Sequence, residues 1–156
     1  MNRRSAIALA SALLFSGCGL SRVAVAQQTG TAAEAKTMLE KAVTELKADQ
    51  AAAISKFNKP AGGFRDRDLY VYCFEMGTGK FTAHANPALM GTDVRALKEK
   101  DGSPLGQKVY DAAKEGTLTT VDYNFPKPGG TDPVPKEAYV TRVGDQGCAP
   151  AITNRK

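Results

Sequence analysis

Residues 69–85 read LYVYCFEMGTGKFTAHA, and this stretch decides the fold of the chain. Its first part, Leu69 to Phe74, is rich in aromatic and β-branched residues, which is typical of a buried strand. Gly77-Thr78-Gly79 predicts a hairpin turn, and Lys80 to Ala85 predicts the strand that returns beside the first. Asn86-Pro87 ends that strand, because proline has no N–H to donate to a sheet. The stretch therefore predicts the first hairpin of an antiparallel sheet.

Downstream of this hairpin, the pattern predicts one short helix and three further strands. Ser103-Pro104 begins a helix that runs to about Glu115, with the serine as its cap and the proline in its first turn. Strands are predicted over 118–125, where polar and apolar residues alternate, and over 136–143. A turn at Asp145-Gln146-Gly147 introduces a fifth strand, which Pro150 is expected to interrupt. The chain is thus predicted to be an α+β protein with about five strands, whose sheet and pocket lie within 68–150.

Upstream of the sheet, the sequence predicts one long helix over residues 31–58. Thr31 and Glu34 have the spacing of a capping box, in which each side chain bonds the other residue's backbone N–H. Pro60 and the glycines after it stop the helix. Its apolar residues recur at steps of three and four, so they form one stripe, and the helix is about 40 Å long. Part of so long a stripe must pack on the sheet or on a partner helix.

The first 26 residues have the pattern of an export signal. Asn2-Arg3-Arg4 is a positive start, a short uncharged Ala/Leu-rich run follows, and Ala24-Val25-Ala26 is an A-x-A cleavage site. The sequence therefore predicts a periplasmic protein whose mature domain is 27–156. Two alternatives stay open: an uncleaved N-terminal anchor, and a lipoprotein with a lipid on Cys18.

Processing changes the charge of the working molecule. The whole chain has 21 Lys and Arg against 16 Asp and Glu, a net charge of +5. Removal of 1–26 takes away Arg3, Arg4 and Arg22 and no acid, which leaves 18 against 16, or +2. Because the remaining basic residues are scattered, nucleic acid is not expected as a partner.

Processing also reduces three cysteines to two, Cys73 and Cys148. An even number of cysteines in an exported chain favours a disulfide bond. The alternative is a pair of buried free thiols that behave as small apolar side chains.

The sequence contains few residues that could carry out chemistry. His84 is its one histidine, and no group of Cys, His, Asp or Glu has the spacing of a metal site. No nucleophile–base set, phosphate loop or dinucleotide motif occurs, so we expect neither an enzyme nor a cofactor. What remains is a set of aromatic and polar residues on predicted strands, which either fill the core or line a pocket for a small polar ligand. These residues are Tyr70, Tyr72, Phe74, His84, Tyr123, Phe125, Lys136 and Tyr139.

The order of these motifs resembles the single Cache domain (type 2) of bacterial sensors. The resemblance covers roughly Asp68 to Val143, with the long helix in the expected place before it. The matching residues are Tyr70-Val71-Tyr72, Gly79, His84-Ala85-Asn86-Pro87, Gly91, Asp101-Gly102, Gly116, Tyr123-Asn124-Phe125-Pro126-Lys127-Pro128, Pro135-Lys136 and Tyr139.

The resemblance implies a PAS-like antiparallel sheet packed on the N-terminal helix. It also implies extracytoplasmic binding of a small molecule, such as a short carboxylate or an amino acid. By position, it implies four ligand contacts, His84, Tyr123, Lys136 and Tyr139. It further implies that the walls of the pocket are Tyr72, Met90 and Phe125.

Two departures from the family pattern bear on function. The family usually ends in an aromatic-Gly-x-Gly-aromatic strand, whereas this chain has Cys148 to Thr153, which predicts a short or frayed last strand. No second hydrophobic span and no output module follow the domain, so we expect it to signal, for chemotaxis or a similar response, through a separate membrane receptor or as a homodimer through its helix. The alternative hypothesis is a non-catalytic interaction module that pairs through the long helix and binds no ligand.

Overall fold

The computed structural model describes residues 29–153. The predicted signal peptide, 1–26, and the alternative lipidation site at Cys18 lie outside these residues. Within the described part of the chain, no helix is both long enough and apolar enough to cross a membrane.

Two consecutive helices precede the sheet, α1 (Ala32–Ala48) and α2 (Gln50–Asn58). The capping box at the start of α1 is confirmed, because Thr31 and Glu34 bond each other's backbone N–H groups. The prediction of one unbroken helix over 31–58 is wrong at Asp49, whose backbone is extended (φ −158°, ψ 103°). The Asp49 side chain accepts a 2.9 Å hydrogen bond from the N–H of Ala52, so this residue caps the second helix instead of continuing the first.

The sheet is antiparallel and has six strands. The strands are β1 (Arg65–Asp66), β2 (Leu69–Glu75), β3 (Phe81–Ala83), β4 (Thr119–Pro126), β5 (Pro133–Val143) and β6 (Gln146–Thr153). Their order is β1-β2-β6-β5-β4, and β3 also pairs with β2. This confirms the predicted α+β class with a PAS-like sheet on N-terminal helices.

The last strand is a correction to the sequence analysis. We expected Pro150 to interrupt it and the tail to be short or frayed, but β6 is eight residues long and lies between β2 and β5. The register with β5 is the same on both sides of Pro150, at Ala138↔Ala151 and Thr141↔Cys148, and this places the proline opposite Tyr139. Because Pro150 has no N–H, one hydrogen bond is missing on one side of β6, while pairing with β2 continues at Val71↔Pro150.

The predicted disulfide is confirmed. Cys73 on β2 and Cys148 on β6 are direct cross-strand partners and are joined by a bond of 2.07 Å. Both cysteines are fully buried, so the bond fastens the two central strands inside the core.

The sheet has two covered faces. On one face, α1 and α2 pack their apolar stripe against the odd-numbered residues of β2, including Leu69, Val71 and Cys73. The stripe that the sequence left without a partner is therefore covered by the sheet of the same chain. On the other face lie Tyr70, Tyr72 and the rest of a second apolar cluster.

The second face is closed by the segment between β3 and β4. This segment contains two short 3₁₀ turns and α3 (Leu105–Ala112), which packs Leu105 and Val109 towards the sheet. Ser103 does not cap α3, contrary to expectation; its N–H is held by the Asp101 side chain, and α3 starts after Pro104 without a side-chain cap.

Candidate ligand-binding site

The candidate site lies on the face of the sheet that is opposite α1. Side chains alternate along a strand, so Tyr70, Tyr72 and Phe74 of β2 all point to this face. On the neighbouring strand β6, the same face carries only small residues, such as Ala149 and Ala151. Small residues at the centre and aromatic residues beside them leave a concave, mainly apolar surface.

His84 stands at the centre of an aromatic cage. Its ring centroid lies 5.3 Å from that of Tyr70, 5.9 Å from that of Tyr72 and 5.1 Å from that of Phe81. The side chain follows directly after β3, which carries it to the edge of the site. The cage therefore holds the imidazole as one polar group among aromatic rings.

The contacts of His84 determine its protonation. Nδ1 accepts a 2.8 Å hydrogen bond from the N–H of Asn86, so a neutral ring carries its proton on Nε2. Burial, with the nearby cations Lys136 and Arg65 in the same direction, lowers the pKa of His84 to about 4. At neutral pH the residue is thus an uncharged donor through Nε2.

Lys136 supplies the positive charge of the site. It is only 1% exposed, and its Nζ lies 5.0 Å from the centroid of the Tyr70 ring. Within residues 29–153, this ammonium has no hydrogen-bond partner and no ion pair. Burial lowers the pKa of Lys136 to about 8, although the charge of Asp68 opposes this effect. A buried cation without a partner is a strong electrostatic reason to bind an anion.

Three tyrosines complete the polar groups. Burial raises the pKa of Tyr70, Tyr72 and Tyr123 well above 10, so all three hydroxyls stay protonated. Each protonated hydroxyl both donates and accepts, which suits an apolar wall that must also bind a polar ligand atom.

The space in the site has two adjacent parts. The inner cavity, between the sheet and α3, has a volume of about 20 Å³, which is room for one water molecule. The outer cleft has a volume of about 110 Å³ and is lined by the loop from Pro126 to Gly130 together with Asn86. Tyr70, His84 and Phe125 line both parts and form the boundary between them.

The structure brings together most of the site residues that the sequence indicated. His84, Tyr72, Tyr123 and Phe125 line the inner cavity. Lys136 lines neither the cavity nor the cleft; its Nζ lies beside the ring of Tyr70, which lines both.

Tyr139 is not part of this group, contrary to expectation. It lies on the opposite face of the sheet, within the α1 cluster, with Lys36 Nζ 5.1 Å from its ring centroid and its hydroxyl donated to Glu137. Lys136 and Tyr139 are three residues apart on one strand, so they must face opposite sides.

Met90 is also absent from the site. It follows a 3₁₀ turn, is 37% exposed and lines neither the cavity nor the cleft. Its neighbour Leu89 packs against the apolar cluster in its place.

Sequence reasoning missed the inner wall opposite the sheet. This wall is made by Val94, Leu97, Leu105, Gly106 and Val109. The signal was the spacing of Leu105, Val109 and Ala112, which is that of one helix face. At Gly106, an added Cβ would lie 1.6 Å from the carbonyl oxygen of Val94, so glycine is what lets α3 approach this closely. Within the described residues, no group of three or more His, Cys, Asp and Glu side chains is placed to hold a metal ion.

Two solved chemosensory structures share this fold. A methyl-accepting chemotaxis protein of Vibrio parahaemolyticus has a TM-score of 0.64 and 22% identity, over 78% of this chain and 86% of that one. A Cache chemosensory domain solved to explain carboxylic acid recognition has a TM-score of 0.56 and 20% identity, over 79% of this chain and 88% of that one.

Sequence comparison gives the same family. The methyl-accepting chemotaxis protein McpP of Pseudomonas putida KT2440 is 31% identical over 75 residues, which is 48% of this chain but 14% of that receptor. The matched stretch therefore covers about a seventh of that receptor. The family model for Single Cache domain 2 matches residues 20–148, most of the chain. Because this match covers most of the chain, the chain belongs to the single Cache domain 2 family.

Proposed function

We propose that this chain is an exported, periplasmic single Cache domain that binds a short carboxylate and serves as the sensory input of a separate signalling partner. The observation that carries the proposal is the buried ammonium of Lys136, which has no hydrogen-bond partner among residues 29–153 and lies beside the ring of Tyr70, a residue that lines the cavity. Bringing a cation into a protein interior is costly, and an anion that reaches it recovers part of that cost.

The geometry indicates how such a ligand would be held. The carboxylate meets Lys136, while the Nε2–H of His84 and the protonated tyrosine hydroxyls are donors within the same cage. The inner wall is apolar and suits a short aliphatic tail. A carboxylate with such a tail is therefore the ligand that the site favours.

Binding requires a change in the site. The inner cavity, at about 20 Å³, is far below the 300–1,000 Å³ of typical ligand sites. The outer cleft is larger, at about 110 Å³, and is bordered by the exposed loop from Pro126 to Gly130. We infer that the ligand enters through the cleft and widens the boundary formed by Tyr70, His84 and Phe125.

The comparisons support the proposal by analogy. One structural neighbour is described as a domain that recognises a carboxylic acid, and two relatives are methyl-accepting chemotaxis proteins. Binding without catalysis is consistent with such sensory domains.

The alternative of a module that pairs through its long helix has less support. Its motive was an uncovered stripe, and this stripe packs on the sheet. A surface groove of about 390 Å³ does lie between α1 and the end of β5, beside Leu118, which is 48% exposed. In the described residues, three buried polar atoms have no hydrogen-bond partner, and they belong to Arg65, Lys136 and Thr153. None of these residues lines that groove.

The test is a thermal-shift comparison of propionate with propionamide, which has the same shape and no charge. At a hundredfold excess over Kd, propionate should stabilise the mature protein by about 2.7 kcal/mol, a rise in Tm on the order of 10 °C. Propionamide should give no comparable rise. Lys136→Met should lose the response, whereas Lys127→Met, which removes an exposed lysine of the cleft loop, should keep most of it. A folded protein that responds to no short carboxylate, or a Lys136→Met variant that responds like the wild type, would overturn the proposal.

A further inference from the structure

One row of polar side chains crosses the sheet at the end of the site. Register pairs Tyr123 of β4 with Lys136 of β5, and Lys136 with Thr153 of β6. The register of β2 with β6 continues from Tyr70↔Ala151 to place Asp68 next to Thr153. Cross-strand partners share a face, so these four residues form one polar row on the ligand face.

Asp68 fastens two distant parts of the chain. Its Oδ1 accepts a 2.7 Å hydrogen bond from the N–H of Gly30, and its Oδ2 accepts a 3.1 Å hydrogen bond from the N–H of Thr153. Gly30 lies just before α1, and Thr153 is the last residue of β6. One carboxylate therefore holds the entry to the helices and the exit from the sheet together.

The segment at Gly30, just before α1, is tightly packed against the start of β2. A Cβ added to Gly30 would lie 3.1 Å from the Cβ of Leu69, the residue next to Asp68. Contact this close leaves little room for the entry to move unless Asp68 and the start of β2 move with it.

The same carboxylate is electrically linked to the binding site. Among the described residues, Asp68 is the one buried Asp or Glu and Lys136 the one buried Lys or Arg. They are not close enough for an ion pair, yet the charge of Asp68 raises the pKa of Lys136 against the effect of burial. Thr153 Oγ1 is, like Lys136 Nζ, buried without a partner among residues 29–153. The row thus has unused hydrogen-bonding groups at the end of β6.

We propose that Asp68 is a positioning residue that couples the charge state of the Lys136 site to Gly30, just before α1, and to Thr153, at the end of β6. The biological role of this coupling rests on the proposed function, because the event that is coupled is the arrival of an anion at Lys136. The anion attracts the ammonium away from Asp68, and the two hydrogen bonds of the carboxylate respond together.

The coupling is testable without an organic ligand, because raising the pH also removes the charge of Lys136. The charged or titratable groups that influence it or share its row or cage are Asp68, Lys127, His84, Tyr70 and Tyr123. His84 is already neutral above its pKa of about 4, and burial raises the tyrosine pKa values well above 10.

The measurement follows the backbone ¹⁵N shifts of Gly30 and Thr153 in carbon-detected spectra, with the ε-carbon of Lys136 as reference, from neutral to alkaline pH. In the wild type, both backbone nitrogens should titrate with the midpoint of Lys136, near its pKa of about 8. In Lys136→Met the inflection should disappear. In Asp68→Asn, Lys136 should still titrate while both nitrogens lose its inflection, and Asp122→Asn, which changes an exposed acid of β4, should behave as the wild type.

A second arm adds saturating sodium propionate at neutral pH. It should shift both nitrogens in the wild type and leave them unchanged in Asp68→Asn. The coupling would be overturned if the two ¹⁵N shifts did not change in the wild type while Lys136 titrates. It would also be overturned if they changed in Asp68→Asn as much as in the wild type, even if propionate binds. If propionate does not bind but the pH arm gives the expected pattern, the carboxylate proposal fails and the coupling stands.

Discussion

Replacement of Lys136 by methionine should make the ligand-free protein more stable at neutral pH. The lysine is 1% exposed and its ammonium has no hydrogen-bond partner among the described residues, so the folded state holds a buried charge that the unfolded state leaves in water. Methionine is flexible and of similar length, and it fills the same space without a charge. Replacing a buried charge with an apolar side chain of similar volume is often stabilising.

The magnitude follows from the pKa. Burial lowers the pKa of Lys136 from 10.5 to about 8, and at 1.36 kcal/mol per pH unit the charged form destabilises the fold by roughly 3 kcal/mol. Because the folded-state value lies below the unfolded-state value, the penalty is complete below pH 8. It shrinks as the pH rises from 8 and is absent above 10.5.

The assay is urea unfolding of both proteins, followed by far-ultraviolet circular dichroism at neutral pH and at pH 10.5. Lys136→Met should gain about 3 kcal/mol in the free energy of unfolding at neutral pH and almost nothing at the higher pH. Lys127→Met is the control and should change stability by less than about 0.5 kcal/mol, since its side chain is exposed. A loss of stability at neutral pH, or a gain of equal size at both pH values, would refute the reasoning.

Three further predictions concern the parts of the fold around the site. Replacing both Cys73 and Cys148 by alanine should lower the free energy of unfolding by about 4 kcal/mol, measured by urea unfolding, because the bond closes a loop across 75 positions. Acid should destabilise the protein as the pH falls from 6.5 towards 4, by up to about 3 kcal/mol through His84, and urea midpoints of His84→Gln should lack this part of the pH dependence. Asp49→Ala should cost about 1 kcal/mol of unfolding free energy by calorimetry, since it removes the cap of α2, whereas Asp49→Asn should cost much less.

Local patterns in the sequence predicted the elements that local physics controls. The strand from Leu69, the capping box at Thr31 and the end of the helices before Pro60 are all short-range signals, and the structure confirms them. His84 and Tyr123 line the cavity. They were already among the aromatic and polar residues on predicted strands, and the resemblance, which carries information on tertiary position, selected them from that set.

The errors arose where tertiary contacts override a local rule. Asp49 can lie within a helix, so its residue type alone did not predict the break. The break is favourable because both helix segments pack on the same sheet. Pro150 would ordinarily exclude a central strand, yet β6 pairs with β2 on its other side and is fastened there by Cys148. The Tyr139 error was avoidable, because an odd spacing from Lys136 along one strand already places the two side chains on opposite faces.

The cost of Lys136 gives a physical reason why binding at this site can do work elsewhere. A domain whose unliganded core carries an uncompensated charge has about 3 kcal/mol available when an anion arrives, enough to shift a two-state equilibrium more than a hundredfold. That free energy changes signalling only if it differs between two arrangements of the domain ends, since a ligand with equal affinity for both shifts nothing. Asp68 lies in the same polar row as Lys136 and accepts hydrogen bonds from Gly30 and Thr153. Such a difference can arise through these contacts. An apolar residue in place of Lys136 would give a more stable domain with no such response. Under the proposed function, the residue that binds the anion is therefore also a residue that destabilises the fold.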